Sequence, residues 1–184
     1  MAFETNYKMH LTQGEIETMR NFLSEQKIDF NRPLFFCAPM GKKQHSTDFF
    51  VEVFNHCIQK YSAQLIACPA PNEMADTIAV KNNLICPENY IVYEKSGLRN
   101  AASLIKLSQL FIGNDSGVSH IAVGVGTPSL SVYSPHIFHP NWSPRNNSRH
   151  QAVSIQDALM LSDDEYENLL KTKTKAELLE LYPK

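Results

Sequence analysis

The stretch LFIGNDSGVSHIAVGVGTPSLSVY, residues 110–133, decides the fold that this sequence predicts. It begins with an apolar run and then passes through the polar and flexible residues 113–117. Beyond that turn the apolar residues do not alternate with polar ones, as they would in the second strand of a hairpin. They recur at the spacing of one helical face instead, at Val118, Ile121, Ala122 and Val125. The stretch therefore predicts a strand, a turn, a helix from Gly117 and a second strand at 129–133.

Similar units precede this stretch. The capping-box pattern from Thr12 to Glu15 predicts a helix that ends near Lys27, and the apolar run 34–38 predicts a strand covered on both faces. A second helix begins near Ser46 or Thr47. Its predicted buried stripe consists of Phe50, Val53, Phe54, Cys57 and Tyr61. Further segments follow as strands at 64–68 and 109–112 and as helices at 73–80 and 98–106.

Strands that alternate with helices in this way predict right-handed βαβ units and a parallel sheet. Two more capping boxes, starting at Ser162 and Thr174, predict short helices with charged faces near the end of the chain. We therefore predict an α/β fold, with a Rossmann-like parallel sheet, helices on both of its faces and a helical tail. A length of 184 residues fits one domain, which we take to span 1–184.

The composition is that of an ordinary globular domain. Hydrophobic residues make up 43% and charged residues 20% of the chain, and the net charge of −2 gives no electrostatic argument for a nucleic-acid partner. The four cysteines lack zinc-site spacing and mostly lie in or beside apolar runs, so we expect reduced thiols and a cytoplasmic protein. No apolar run reaches the roughly 20 residues of a membrane span, so we expect no integral membrane segment.

The turn between the strand and the helix has a chemical use. The first N–H groups of a helix point outward and carry the positive end of the helix dipole, which suits a phosphate group. Ser116 and Gly117 open the predicted helix, and His120 follows one turn later on the same face. Asp115 would repel a diphosphate, so we expect it to cap the helix or to accept a hydrogen bond from a ligand hydroxyl. This turn follows the carboxyl end of a strand, where parallel sheets bind ligands.

Other interpretations of these residues remain open or fail. In one alternative interpretation, residues 114–117 only start a helix, and His120 is a half-buried structural histidine. A hydrolase nucleophile at Ser116 requires glycines two residues before and after it, and Asn114 and Val118 stand there. A metal site is disfavoured, because the candidate histidines lie in or just beyond a proline-rich loop without a fixed helical face: His136, His139 and His150.

The stretch resembles the signature of the bacterial ADP-heptose glycosyltransferases, the heptosyltransferases of lipopolysaccharide core synthesis. The matching positions are Gly113, Asn114, Asp115, Ser116, Gly117, His120, Ala122, Thr127, Pro128 and Pro135. Weaker matches upstream are Pro39, Gly41, Lys43, Asp48, Phe50 and Glu73. Together the likeness runs from about Thr12 to Pro144.

The resemblance implies a fold, a function and a set of site residues. Such enzymes have the GT-B fold of two Rossmann-like domains, and this sequence resembles only the carboxyl-terminal, nucleotide-sugar-binding half, without the amino-terminal acceptor domain. Lys43, with Lys42 as its rival, would then pair with the diphosphate of ADP or ADP-heptose. Glu73 would accept hydrogen bonds from the ribose hydroxyls, as the acidic residue of dinucleotide folds does. Asp115, Ser116, Gly117 and His120 would complete the donor site, which needs neither a metal nor a cofactor.

Two functions follow as expectations. The first is a donor-binding domain that takes part in heptose transfer from ADP-heptose to lipopolysaccharide core, is inactive alone and requires a separate acceptor domain. Its expected location is the cytoplasm, with peripheral attachment to the inner face of the inner membrane left open. The alternative is a non-catalytic remnant or interaction module that keeps the fold without the chemistry. Nucleotide affinity distinguishes the two.

Overall fold

The computed structural model describes residues 8–39, 46–133, 148–174, 177–178 and 181. Within these residues the chain forms one six-stranded parallel sheet, with the strands in the order β3-β2-β1-β4-β5-β6. The strands are β1 Leu34–Ala38, β2 Gln64–Ala67, β3 Tyr90–Val92, β4 Leu110–Asn114, β5 Ser129–Val132 and β6 His150–Val153. The predicted parallel α/β fold is therefore confirmed.

Helices connect these strands in the alternation that the sequence predicted. They are α1 Gln13–Glu25, α2 Thr47–Tyr61, α3 Met74–Asn82, α4 Leu98–Leu107, α5 Gly117–Val125, α6 Ile155–Ala158 and α7 Asp163–Thr172. Short 3-10 turns occupy Pro71–Glu73 and Pro87–Asn89. The capping boxes predicted at Thr12 and Ser162 are both formed, and they begin α1 and α7. None of the described helices is both long enough and apolar enough to cross a membrane.

The sheet lies between two helical layers because its strands bury both of their faces. On one face Phe35 and Cys37 of β1 pack with α2 and α3. On the other face Leu34 and Phe36 pack with α1, α4 and α5. The alternation of side chains along a single strand thus supplies both hydrophobic cores.

Gly113 sets the spacing between the two central strands. It lies opposite Ala38 in the parallel register of β1 and β4. A Cβ atom at Gly113 would lie 2.9 Å from the Ala38 Cβ and nearer still to the Ala38 carbonyl oxygen. Only glycine therefore allows β4 to run this close to β1 at the point where both strands end.

The buried stripe predicted for α2 is wrong at one position. Phe50, Phe54 and Cys57 are buried as expected, but Tyr61 is 49% exposed and Ile58 is buried in its place. Tyr61 is the last residue of the helix, and the chain turns away at Ser62 in a left-handed conformation. The Tyr61 ring consequently lies at the edge of the core, with the Lys60 ammonium 5.6 Å from its centre.

The sheet also extends further than the sequence indicated. β6 pairs with β5 through Ser129 and His150, although 150–153 was not predicted to be a strand.

α1 is fixed to α4 by Arg99, whose Nη2 donates to Glu15 Oε2 at 2.6 Å and to the His10 carbonyl at 3.0 Å. This arginine holds the pKa of Glu15 at about 2, well below its usual value. The connection between helices distant in sequence stabilises the layer behind the site.

Candidate functional site

A cavity of about 450 Å³ opens at the carboxyl ends of the central strands. Pro39, which follows β1, lies on its wall, together with Ala67 at the end of β2 and residues 68–71 beyond it. The start of α4 at Gly97 and Leu98 and the start of α5 at Ser116–Val118 close the other sides. The order of the strands reverses between β1 and β4, and the cavity lies by this switch point, where open parallel sheets bind their ligands.

The amino end of α5 forms one wall of the cavity. Ser116 is the N-cap residue, with extended backbone angles of φ −162° and ψ 170°, so the sequence prediction of Asp115 or Ser116 is resolved in favour of Ser116. The Ser119 hydroxyl donates to the Ser116 carbonyl at 2.7 Å and accepts from the Ser116 N–H at 3.3 Å. Gly117 and Val118 are the first two residues of α5 and line the cavity, and N–H groups in the first turn of a helix have no partner within the helix.

Glu73 lies across the cavity at the start of α3. Its Oε2 accepts a hydrogen bond from the Ala70 N–H at 3.2 Å, which fixes the carboxylate at the end of the 3-10 turn Pro71–Glu73. The Glu73 Oε1 atom has no hydrogen bond to any of the described residues. The carboxylate therefore has one oxygen anchored to the backbone and one oxygen available to a hydroxyl donor.

Asp115 and His120 contact each other beside the cavity. The Asp115 Oδ1 and His120 Nε2 atoms are 3.8 Å apart, and both side chains are partly exposed. The Asp115 N–H donates to the Val132 carbonyl at 2.9 Å, which continues the ladder between β4 and β5. Neither residue belongs to the described wall of the cavity. Asp115 directly precedes the N-cap residue Ser116, and His120 lies one helical turn after it.

The remaining predicted site residue is Lys43. Lys43 and its rival Lys42 lie outside the described residues, as do His136 and His139 of the histidine-rich loop. The third histidine of that set, His150, is buried in β6, where its Nδ1 atom lies 3.0 Å from the Ser129 hydroxyl. The residues that the structure describes contain no cluster of three groups able to hold a metal ion.

The described lining of the cavity is mostly uncharged. Glu73 is its one carboxylate, and the described lining contains no lysine, arginine or histidine. Two thiols border the cavity: burial raises the pKa of Cys68 to about 11 and raises the pKa of Cys37 well above its usual value. Both thiols consequently stay protonated near neutral pH. The cavity combines an apolar floor with polar groups at α5 and Glu73, a combination typical of nucleoside and cofactor sites.

Sequence reasoning found the ends of β4 and α5 but missed two parts of the site. It gave no role of its own to Asn114, which is 3% exposed and donates its Nδ2 hydrogen to the Pro39 carbonyl. It also missed Gly97 and Leu98, which approach the cavity from the start of α4. Asn114 stood in the quoted motif as a sequence match, whereas Gly97 adopts a φ of 156° in a turn without a helical or strand pattern.

The comparison with protein families gives a match over nearly the whole chain. Residues 1–169 match the model for glycosyltransferase family 9 (heptosyltransferase). The chain belongs to glycosyltransferase family 9. The strand-turn-helix stretch that carried the resemblance thus lies inside a match that also includes the sheet, both helical layers and the start of the tail.

Individual relatives agree with this assignment. The lipopolysaccharide core heptosyltransferase OpsX of Haemophilus influenzae is 28% identical over 160 residues, which cover 84% of this chain and 43% of OpsX. The solved structure of E. coli ADP-heptose LPS heptosyltransferase II superposes with a TM-score of 0.66 at 17% identity, covering 94% of this chain and 53% of that one.

A second solved structure is that of the E. coli heptosyltransferase WaaC with ADP. Its TM-score is 0.54 at 14% identity, covering 96% of this chain and 52% of WaaC. The chain thus spans about half the length of the relatives it matches. At these identities the structural likeness establishes the fold, which agrees with the parallel sheet described above.

Proposed function

We propose that these residues form the donor-binding half of a heptosyltransferase, which holds ADP-heptose while its heptose is transferred to lipopolysaccharide core. The observation that carries the proposal is the 450 Å³ cavity between the amino end of α5 and the Glu73 carboxylate, at the switch point of the sheet. A nucleoside diphosphate presents an anion and a hydroxylated ribose to one site. The cavity offers helix amides for the first and a carboxylate oxygen for the second.

The diphosphate belongs at the amino end of α5 on this proposal. The N–H groups of Gly117 and Val118 carry the positive end of the helix dipole, and the Ser116 hydroxyl adds a donor. His120 adds a cation when it is protonated. Because the described lining contains no cation, Lys43 is the proposed point charge against the phosphates, with Lys42 as its rival.

The nucleoside extends across the sheet toward Glu73. The Glu73 Oε2 atom accepts from the Ala70 N–H, so the Glu73 Oε1 atom is the proposed acceptor for the ribose hydroxyls. The Asp115 carboxylate, which contacts His120 beside the cavity, is the proposed acceptor for a hydroxyl of the transferred sugar. The choice of ADP rests on relatives: WaaC has a solved structure with ADP, and heptosyltransferase II is named for ADP-heptose.

In this arrangement the leaving group is stabilised by fixed dipoles. As the bond between the sugar and the diphosphate breaks, negative charge develops on the diphosphate oxygens. Donors that already point at those oxygens require no reorganisation during the step, so they favour the transition state. The base that activates the acceptor and the surface that holds it are proposed to lie in a separate acceptor domain. We therefore expect the 184-residue chain to bind the donor without transferring heptose.

Isothermal titration calorimetry tests the binding half of the proposal. The expected result is saturable heat with ADP and with ADP-heptose, and much weaker binding of adenosine, which lacks the diphosphate. UDP and GDP are the matched controls, because they share the diphosphate and differ in the base. No binding of any of these nucleotides would contradict the proposal and would favour an interaction module that has lost the chemistry.

A transfer assay tests the role of the second domain. Purified chain is mixed with the separately expressed amino-terminal half of OpsX, ADP-heptose and lipopolysaccharide core acceptor. The expected result is no heptosylated product with either component alone and measurable product with both. Product from the 184-residue chain alone would contradict the assignment of the acceptor machinery to another domain.

A further inference from the structure

The last residue of β4, Asn114, connects two walls of the cavity. Its Nδ2 atom donates to the carbonyl of Pro39, the residue that follows β1. Pro39 lines the cavity on the β1 side, and Ser116, two residues after Asn114, lines it on the α5 side. One side-chain amide thus joins the ends of the two strands that flank the switch point.

The environment of this amide is unusual for a residue with a purely structural role. Asn114 is 3% exposed, and its Oδ1 atom is buried without a hydrogen-bond partner among the described residues. The orientation of the amide is fixed by Pro39, because exchanging its nitrogen and oxygen would bring two oxygens together. A buried, half-satisfied amide lowers stability relative to an apolar side chain of similar size. Packing alone therefore does not account for asparagine here.

We infer that Asn114 is a positioning residue of the nucleotide site, which sets the separation between Pro39 and the amino end of α5. This inference rests on the proposed function. Gly113 allows β4 to approach Ala38 of β1 closely. One residue further along each strand, the Asn114 side chain donates to the Pro39 carbonyl and so holds the ends of β4 and β1 together. Diphosphate binding at Gly117 and Val118 requires the amide end of α5 to face the cavity at a fixed distance from the opposite wall.

The test separates affinity from stability. Asn114→Leu removes the bond to Pro39 and the unsatisfied oxygen while keeping most of the side-chain volume. Its expected thermal midpoint equals or exceeds that of the unsubstituted chain. Its Kd for ADP is expected to rise about tenfold, which is the change in affinity that corresponds to the loss of one hydrogen bond. Asn114→Asp keeps the shape but cannot donate to Pro39 when ionised, and the same loss of affinity is expected.

The matched control is Thr127→Val. The buried Thr127 hydroxyl also donates to a backbone carbonyl, that of Ile105, at 2.8 Å. Thr127 precedes β5, however, and so lies at the amino ends of the strands, away from the cavity. The expected result is a lower thermal midpoint with an unchanged Kd for ADP. If Asn114→Leu and Asn114→Asp both bind ADP as the unsubstituted chain does, the positioning role is overturned and the proposed function stands.

Hydrogen exchange provides a readout that does not depend on nucleotide. The amides of Asp115 and Ser119 are hydrogen-bonded to Val132 and Ser116. Both are expected to exchange faster in Asn114→Leu than in the unsubstituted chain, and to be unchanged in Thr127→Val. Unchanged exchange at these amides in Asn114→Leu would overturn the positioning role, whether or not the chain binds ADP. Absence of ADP binding by the unsubstituted chain would separately refute the proposed function.

Discussion

Ser116 and His120 are one helical turn apart and occupy different positions relative to the cavity. Ser116 and Gly117 lie on its wall, whereas His120 stands beside it and contacts Asp115. The sequence placed both residues in one phosphate site because they share a helical face. It could not separate them, because the contact between His120 and Asp115 is a tertiary feature that the helical spacing does not show.

Substitution of these two residues tests their proposed roles. Ser116→Ala is expected to weaken ADP binding about tenfold, since it removes one hydrogen bond to a charged group. His120→Ala is expected to weaken binding as well, since it removes an imidazole one helical turn from the proposed diphosphate position. His56→Ala, on the exposed side of α2, is the control. Titration calorimetry measures the affinities, and circular dichroism checks the fold; unchanged affinity in both variants would refute the assignment.

Gly113 is the residue whose substitution should damage the fold most directly. Gly113→Ala forces a Cβ atom against the backbone of Ala38, and overpacking of this kind costs about 1–3 kcal/mol. Gly14→Ala is the control, because no atom lies within 4 Å of a Cβ placed there. The control should be neutral or stabilising by up to about 1 kcal/mol. Urea denaturation measures both, and equal free energies of unfolding would contradict the close approach of β1 and β4.

Among the strands, the central ones were predictable from the sequence, and the edge strand β6 was not. β1, β4 and α5 follow from local patterns, since continuous apolar runs and a helical stripe each identify one element. β6 was missed because His150 and Gln151 interrupt the apolar pattern that identifies a buried strand. It pairs with β5 along four residues and adds the side-chain contact between Ser129 and His150, and such tertiary interactions leave no local pattern in the sequence.

That contact makes the β5–β6 edge sensitive to acid. Burial, together with the nearby Arg149, lowers the pKa of His150 below its ordinary value of 6.5. The folded chain therefore takes up a proton less readily than the unfolded chain. The contribution of neutral His150 to stability is complete above pH 6.5 and is lost as the pH falls below that value.

His150→Asn removes this titration while keeping a polar group near Ser129. Its free energy of unfolding is expected to be lower than that of the unsubstituted chain at about pH 8 and to change less between about pH 7 and 5. His56→Asn, at an exposed position, should keep the acid sensitivity of the unsubstituted chain. Chemical denaturation at several pH values measures the difference. An equally steep loss of stability in His150→Asn would contradict the proposed role of burial.

For the molecule as a whole, the parallel order of the strands explains why residues far apart in sequence meet in one cavity. Glu73, Leu98 and Ser116 follow three different strands. All three line the same cavity because the carboxyl ends of parallel strands lie at the same end of the sheet. The sequence predicted a site at the carboxyl ends of the strands, because parallel sheets bind ligands there. The cavity's width was not predictable, because it depends on the Asn114–Pro39 bond and on the turn at Gly97.

The proposed donor site depends most on where the diphosphate binds, and a crystal structure with ADP locates the diphosphate directly. The predicted result is a phosphate oxygen within about 3 Å of the Gly117 or Val118 nitrogen, with the ribose hydroxyls at Glu73 Oε1. Phosphates bound at the amino ends of the strands, or anywhere away from the start of α5, would contradict the donor site while leaving the family assignment intact.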